Sequence, residues 1–251
     1  MIYSAKTDIG KKYNHNEDSF VLPVPNKKYN INNLDIINMG ELFVLCDGIG
    51  GYNAGEIASE LTANWISKDY YSIKDISINL PDKLEEIIKS VNIKIINLAK
   101  EHESYDGMGT TLVAVLFLKN KAFIYSVGDS RVYVLKDKKL IQITEDQSEV
   151  WKLYKDGEIS KDDIRFHPRH NIITMSLGIN RDINIQRYTY DYNIGEMFLL
   201  CSDGLTDMVG DMEIQNILLK NQSLDIITNK LIKTANKNGG KDNITAIVAK
   251  V

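Results

Sequence analysis

Two apolar runs in this chain end in Asp-Gly: Phe43-Val44-Leu45-Cys46-Asp47-Gly48-Ile49-Gly50-Gly51 and Met197-Phe198-Leu199-Leu200-Cys201-Ser202-Asp203-Gly204. A third acid, Asp242, stands two residues before the apolar closing run, and further acids flank short strand-like runs at Glu17-Asp18 and Gly128-Asp129. A lone Asp-Gly is most often a turn. Beside a buried strand, however, an unpaired carboxylate is costly, and several together repel one another and take up protons unless divalent cations neutralise them. Oxygen-only ligation points to Mg²⁺ or Mn²⁺, and no Cys/His spacing suits zinc. Two such ions about 3.5–4 Å apart lower the pKa of a shared water and aim it at a phosphorus centre. No serine or cysteine motif with a paired base offers a rival nucleophile.

The elements that must position these acids follow from periodicity. Strand-like runs at 43–47 and 197–201 deliver Asp47 and Asp203 to a sheet rim, where glycine lets the backbone approach a ligand closely. Residues 53–67 read as a helix with Asn53 as N-cap, and a second helix starts near Pro81. In that second helix Leu84, Ile87, Ile88, Val91, Ile95 and Leu98 make one apolar stripe. Short strand-like runs at 110–118, 122–127, 131–135 and 140–143 read as an antiparallel meander. The charged segment 144–171, with a short helix near 148–155 and with His167 and His170, reads as a flap, its histidines serving local structure. Strands at 183–189 and 197–201, helices near 211–220 and 223–238, and a closing strand 244–251 complete the chain. Residues 23–40 show no period. Helices followed by consecutive strands argue for an α+β fold, and no linker or repeat interrupts the chain, so residues 1–251 read as a single domain.

Composition sets outer bounds. The 251 residues are 43% hydrophobic and 25% charged, with a net charge of −4. A domain of this size buries roughly three quarters of its unfolded surface, enough to fold without staples. The acidic balance excludes a general nucleic-acid binder. Cys46 and Cys201 read as buried small hydrophobes in a reducing compartment. The N-terminus lacks a signal-peptide core and no apolar run approaches the ~20 residues of a membrane span, so the expectation is a cytoplasmic protein with no membrane or nucleic-acid partner.

Seven motifs in chain order resemble a known family. They are Asp8-Ile9-Gly10 with Asn16-Glu17-Asp18-Ser19; Asp47-Gly48-Ile49-Gly50-Gly51 with Ala54-Gly55-Glu56-Ile57-Ala58-Ser59; Gly109-Thr110-Thr111; and Val127-Gly128-Asp129-Ser130-Arg131-Val132-Tyr133. Then come His167-Pro168 with Leu177-Gly178, Ser202-Asp203-Gly204-Leu205-Thr206-Asp207, and Asp242-Asn243-Ile244-Thr245. The pattern resembles the metal-dependent protein serine/threonine phosphatases of the PP2C (PPM) type, in their compact bacterial form. The resemblance implies a four-layer α-β-β-α sandwich with two central antiparallel sheets and a flap at about 144–171. It also implies two Mn²⁺ or Mg²⁺ ions, and hydrolysis of phosphoserine and phosphothreonine by a metal-bridging water.

By motif, Asp47 would bridge both ions, the Gly48 carbonyl would bind one, and Asp203 and Asp242 would complete the other shell. Glu17 and Asp18 would act mainly through metal-bound waters, and Asp129 with Asp203 would hold a weaker third ion. The implied partners are phosphoprotein substrates and an opposing bacterial Ser/Thr kinase. Two departures stand out. Tyr13 occupies the place of the family's phosphate-binding arginine, leaving Tyr13, Lys12 (or Lys11) and Asn243 as candidate phosphate contacts. Ile49 stands where eukaryotic relatives carry a histidine proposed as general acid. The Tyr13 departure motivates an alternative reading, a pseudophosphatase that binds phosphoproteins with little turnover.

Overall fold

The computed structural model describes residues 1–23, 38–50 and 54–251. The expected loop at 23–40 falls largely, and Gly51 and the Asn53 cap fall entirely, outside these residues. In chain order the elements are β1 (Ile2–Asp8), β2 (Asp18–Val21), β3 (Glu41–Ile49), α1 (Ala54–Tyr71), α2 (Leu80–Glu101), β4 (Gly109–Thr110), β5 (Leu112–Leu118) and β6 (Lys121–Val127). Then follow β7 (Arg131–Lys136), β8 (Lys139–Gln142), α3 (Glu149–Lys155), β9 (Gln186–Asp191), β10 (Met197–Cys201), α4 (Asp203–Thr206), α5 (Asp211–Leu218), α6 (Leu224–Lys237) and β11 (Ile244–Lys250). The class is α+β with two antiparallel sheets.

The chain forms two compact units. The first comprises Met1–Asp18, Gly128–Met175 and Asn193–Val251; the second comprises Ser19–Val127 and Ser176–Tyr192. In the first, strands pair in the order β1-β11-β10-β7-β8. The closing strand β11 is buried along Ile244–Ala249 because it is paired on both edges, to β1 and to β10. Helix α6 lies on β1 and β11, and its Ile227, Leu231 and Ala235 join Leu199, Cys201 and Val248 in one apolar cluster. Ser223 caps α6, accepting from the Ile226 amide at 3.4 Å.

In the second unit β3 pairs with β5, β5 with β6 and β6 with β9, while β4 pairs with the end of β3. Helix α1 packs on β3 and against α2. The predicted stripe of α2 is buried at Leu84, Ile87, Ile88, Val91 and Ile95, and Asn79 caps it with Pro81 in the first turn. Helix α1 continues four residues past the predicted end at 67. The phenol of Tyr70 donates to the Met39 carbonyl at 2.6 Å, and the Leu42 amide donates to the Tyr71 hydroxyl at 3.0 Å, so the last turn is held by contacts from outside the helix.

The predicted meander over 110–143 is corrected. The run is two hairpins in different sheets: β5–β6 in the second unit and β7–β8 in the first. The chain leaves one sheet at Gly128, whose φ of +98° favours glycine, and its amide donates to the Gln147 side chain at 2.8 Å. The strand predicted at 183–189 is likewise displaced, to Gln186–Asp191, because pairing with β6 begins only at Gln186 opposite Ser126. Cys46 and Cys201 are free and buried, and no helix among the described residues is long and apolar enough to cross a membrane.

Ile88 is fully enclosed in the α2 stripe. Truncation to alanine should cost about 2–5 kcal/mol, whereas Glu86→Ala on the exposed face should change stability by less than about 0.5 kcal/mol. Urea unfolding of the two variants beside the parent checks this.

Candidate metal and phosphate site

The first unit draws together acids that are far apart in the chain. Asp18 leads into β2, Asp129 follows the sheet switch, Asp203 opens α4 straight after β10, and Asp242 precedes β11. Their charges act on one another. Asp203 is held well above the usual carboxylate range by burial, with Asp129, Asp207, Asp242 and Asp18 adding repulsion. Asp18 and Asp129 are pushed up to about 7, in both cases chiefly by desolvation. Asp146 and Asp207 add repulsion at Asp129, while Arg131 opposes it. Asp242 is also raised, by burial first, with the Asn243 amide and Lys12 pulling the other way.

Backbone contacts hold this group in place. Gly204 sits so close to β11 that an added Cβ would lie 2.0 Å from the Asn243 carbonyl oxygen. Gly10, at φ +73°, leaves room for the Asp242 carbonyl, which a Cβ would meet at 2.2 Å. The Ser202 hydroxyl donates to Asp18 Oδ2 at 2.8 Å and accepts from the Thr245 amide at 3.0 Å. Asp18 Oδ1 is buried without a hydrogen-bond partner.

The donor set fits a hard divalent cation. It is all oxygen, its members are carboxylates that resist ionising together, and their mutual repulsion and the orphaned Asp18 oxygen are what a cation relieves. Among the described residues no three Asp, Glu, His or Cys side chains close a cage unaided. Carbonyls and waters would complete the shell, as Mg²⁺-like ions ordinarily require.

Asp47 and Gly48 belong to the second unit, at the end of β3. The backbone of Asp47 is clamped there: its amide donates to Thr111 Oγ1 at 3.0 Å, and its carbonyl accepts from the Thr111 amide at 2.8 Å and from Thr110 Oγ1 at 2.9 Å. That is the work of the Gly109-Thr110-Thr111 motif. Asp47 is half-buried and Gly48 is buried.

The candidate phosphate contacts divide. Lys12 Nζ donates to the Tyr13 hydroxyl at 2.9 Å and lies 4.7 Å from that ring's centroid. This bond holds the ammonium above its ordinary pKa, and the charge of Asp242 adds to the effect. Tyr13 therefore holds a cation beside the acids. Asn243 is buried and its amide is fully used: Oδ1 accepts from the Glu17 amide at 2.7 Å, and Nδ2 donates to the Ile9 and His15 carbonyls at 3.0 and 3.1 Å. Glu17 Oε1 meets His15 Nε2 at 3.0 Å.

Asp207 lies within the Ser202–Asp207 motif without a role that the motif itself assigns, and Asp146 lies in none of the motifs. Asp207 stands four residues after Asp203, one helical turn on, and that spacing was the available signal. His170 reaches it from the segment 144–171, with Nε2 at 3.2 Å from Asp207 Oδ2. Asp146 is buried and bonded by Arg131 at 2.6 to 3.0 Å; no local pattern marks such a pair.

The profile of Protein phosphatase 2C matches residues 34–249. The chain belongs to the protein phosphatase 2C family. It is 36% identical over 245 residues to the serine/threonine phosphatase Stp of Listeria welshimeri, covering 97% of this chain and 93% of that one. The crystal structure of serine/threonine phosphatase Stp1 from Staphylococcus aureus superposes with a TM-score of 0.88 at 32% identity, over 99% of this chain and 94% of that one. The catalytic domain of the serine/threonine protein phosphatase PstP, solved in complex with two manganese ions, matches with a TM-score of 0.83 at 31% identity, over 99% and 97% of the two chains. These relatives bear out the family resemblance and the α+β class, and they support metal dependence. They lend no support to the alternative of a binding module without turnover.

A carboxylate near 7 in the folded, metal-free protein and near 4 when unfolded binds more protons folded, so its contribution to stability falls as pH rises from about 4 to about 7. In EDTA, Asp18→Asn should therefore melt higher than the parent at pH 8, with the advantage shrinking toward pH 5. Thermal melts of both proteins across that range check it. Mn²⁺ at pH 8 should raise the parent's Tm more than the variant's.

Proposed function

We propose that this phosphatase hydrolyses phosphoserine and phosphothreonine esters of proteins with two Mn²⁺ or Mg²⁺ ions held by its own carboxylates. The observation that carries the reading is the convergence of Asp18, Asp129, Asp203 and Asp242 under mutual repulsion in one unit. Asp203 and Asp242 are the proposed ligands there, and Asp129 with Asp203 is the candidate for a third, weaker ion. Asp47 and the Gly48 carbonyl are assigned as ligands from their motif. Bound ions of this kind lower the pKa of water and polarise a phosphoryl oxygen.

The chain's own residues do the rest. Asp18, anchored by Ser202, and Glu17, anchored through Asn243, orient polar groups around the ligands from outside. Asn243 is a positioning residue, because its amide is spent on the 9–17 loop. Lys12 supplies the positive charge for a phosphate oxygen, and Tyr13 aims it. A point charge binds phosphate less selectively than a bidentate guanidinium. The physiological setting we propose is the bacterial cytoplasm, opposite a Ser/Thr kinase.

Mn²⁺-stimulated hydrolysis of para-nitrophenyl phosphate and of a phosphothreonine peptide tests the reading. Asp203→Asn and Asp47→Asn should each lower kcat/KM by at least about a hundredfold while circular dichroism stays unchanged. Variants as active as the parent would refute the assignment. Tyr13→Arg should lower KM with kcat little changed, the signature of regained uniform binding; an unchanged KM would show that phosphate is held without position 13.

A further inference from the structure

The first unit carries a second feature that the phosphatase reading does not use. A cavity of about 350 Å³ lies where the segment 144–171 meets the end of α6, its seven lining residues including Arg165, Phe166, His170, Asp207, Met208 and Lys241. Three of the seven carry basic side chains, in a chain whose net charge is −4. The single carboxylate, Asp207, is already engaged by His170 at 3.2 Å. Arg165 and Lys241 form no ion pair with any described carboxylate.

Two of the basic groups are held in place. Arg165 lies over the Phe166 ring, 4.5 Å from its centroid, and backs onto Gly210, where an added Cβ would come within 3.0 Å of Nη1. The His170 ring is fixed at both nitrogens, Nδ1 facing the His167 carbonyl at 2.8 Å and Nε2 facing Asp207. Its pKa is raised, first by that bond to Asp207, and the charge of Lys241 is near enough to work against the rise. Arg165 and Lys241 around one polar cavity, with its one carboxylate already engaged by His170, leave an excess of positive charge that an anion would complement.

Asp207 also places the cavity relative to the acids, since its charge is felt by Asp203, Asp129 and Asp242. A polypeptide whose phosphate is held at Asp203 and Asp242 must lay its flanking residues nearby. We infer that this cavity is an anionic subsite: Arg165 and Lys241, beside the His170–Asp207 pair, take a second negative group of the phosphoprotein substrate, a carboxylate or a further phosphoryl group, next to the residue being hydrolysed. The inference rests on the phosphatase reading and adds a sequence preference to it.

The test uses the full chain with Mn²⁺ and an alanine-rich phosphothreonine peptide. A single glutamate, or a single non-hydrolysable phosphonate residue, is walked from four residues before the phosphothreonine to four after it. At one or two positions kcat/KM should rise roughly three- to tenfold, mostly through KM, and the gain should fade with added salt. Arg165→Gln and Lys241→Gln should each reduce that gain while hydrolysis of para-nitrophenyl phosphate stays within about twofold. The arm with the larger gain identifies the anion as carboxylate or phosphoryl. No gain at any position, or a gain that survives in both variants, overturns the inference. So does a variant that slows para-nitrophenyl phosphate as much as the anionic peptide, because it acts through the fold. If the parent hydrolyses neither small ester nor neutral peptide, the phosphatase reading fails first.

Discussion

Carboxylates crowded in a low-dielectric pocket must either take up protons or be neutralised by a cation, and the first unit of this protein is arranged around that constraint. Asp203 feels four neighbouring acids, and Asp18 and Asp129 are driven up to about 7 mainly by desolvation. An arrangement of this kind opposes its own folding at neutral pH. A cation reverses the sign: the same repulsion becomes affinity, because each carboxylate gains a counter-charge in place of lost hydration. Metal binding and stability of this unit are therefore linked.

Around that centre the polar contacts are mostly indirect. Ser202 ties Asp18 to β11, Asn243 ties β11 to the loop before β2, and Gly10 and Gly204 let backbone lie against backbone where any side chain would collide. The second unit applies the same logic at Asp47, whose backbone is fixed on both sides by Thr110 and Thr111 while its side chain stays half-buried. Holding Asp47 by its main chain fixes the strand end that carries its carboxylate, the part the threonines of the Gly109-Thr110-Thr111 motif play.

Beside the acids this chain presents an ammonium steadied by a phenol, Lys12 Nζ standing 2.9 Å from the Tyr13 hydroxyl and facing its ring. Such a pair places a point charge near the acids without the planar fork of a guanidinium. The basic cavity at Arg165 and Lys241 is the separate source of selectivity proposed above, for the polypeptide around the phosphate.

What could be read from residues alone was whatever is encoded locally. Apolar stripes of period 3.6 marked α2 and α6, and apolar runs ending in Asp-Gly or preceded by Asp-Asn marked Asp47, Asp203 and Asp242. The order of seven motifs indicated the family. Non-local pairing was not legible. The hairpins at 112–127 and 131–142 look like one meander in sequence and belong to different sheets, because pairing partners such as β1 and β11 lie at opposite ends of the chain. For the same reason Asp146 bonded to Arg131, Asp207 facing His170, and the spent amide of Asn243 emerged only from the fold. The sequence by itself determined which side chains are available and on which local element each sits. Only the tertiary structure decided which of them share one desolvated space, because field strength and hydrogen bonding depend on distance in space rather than along the chain.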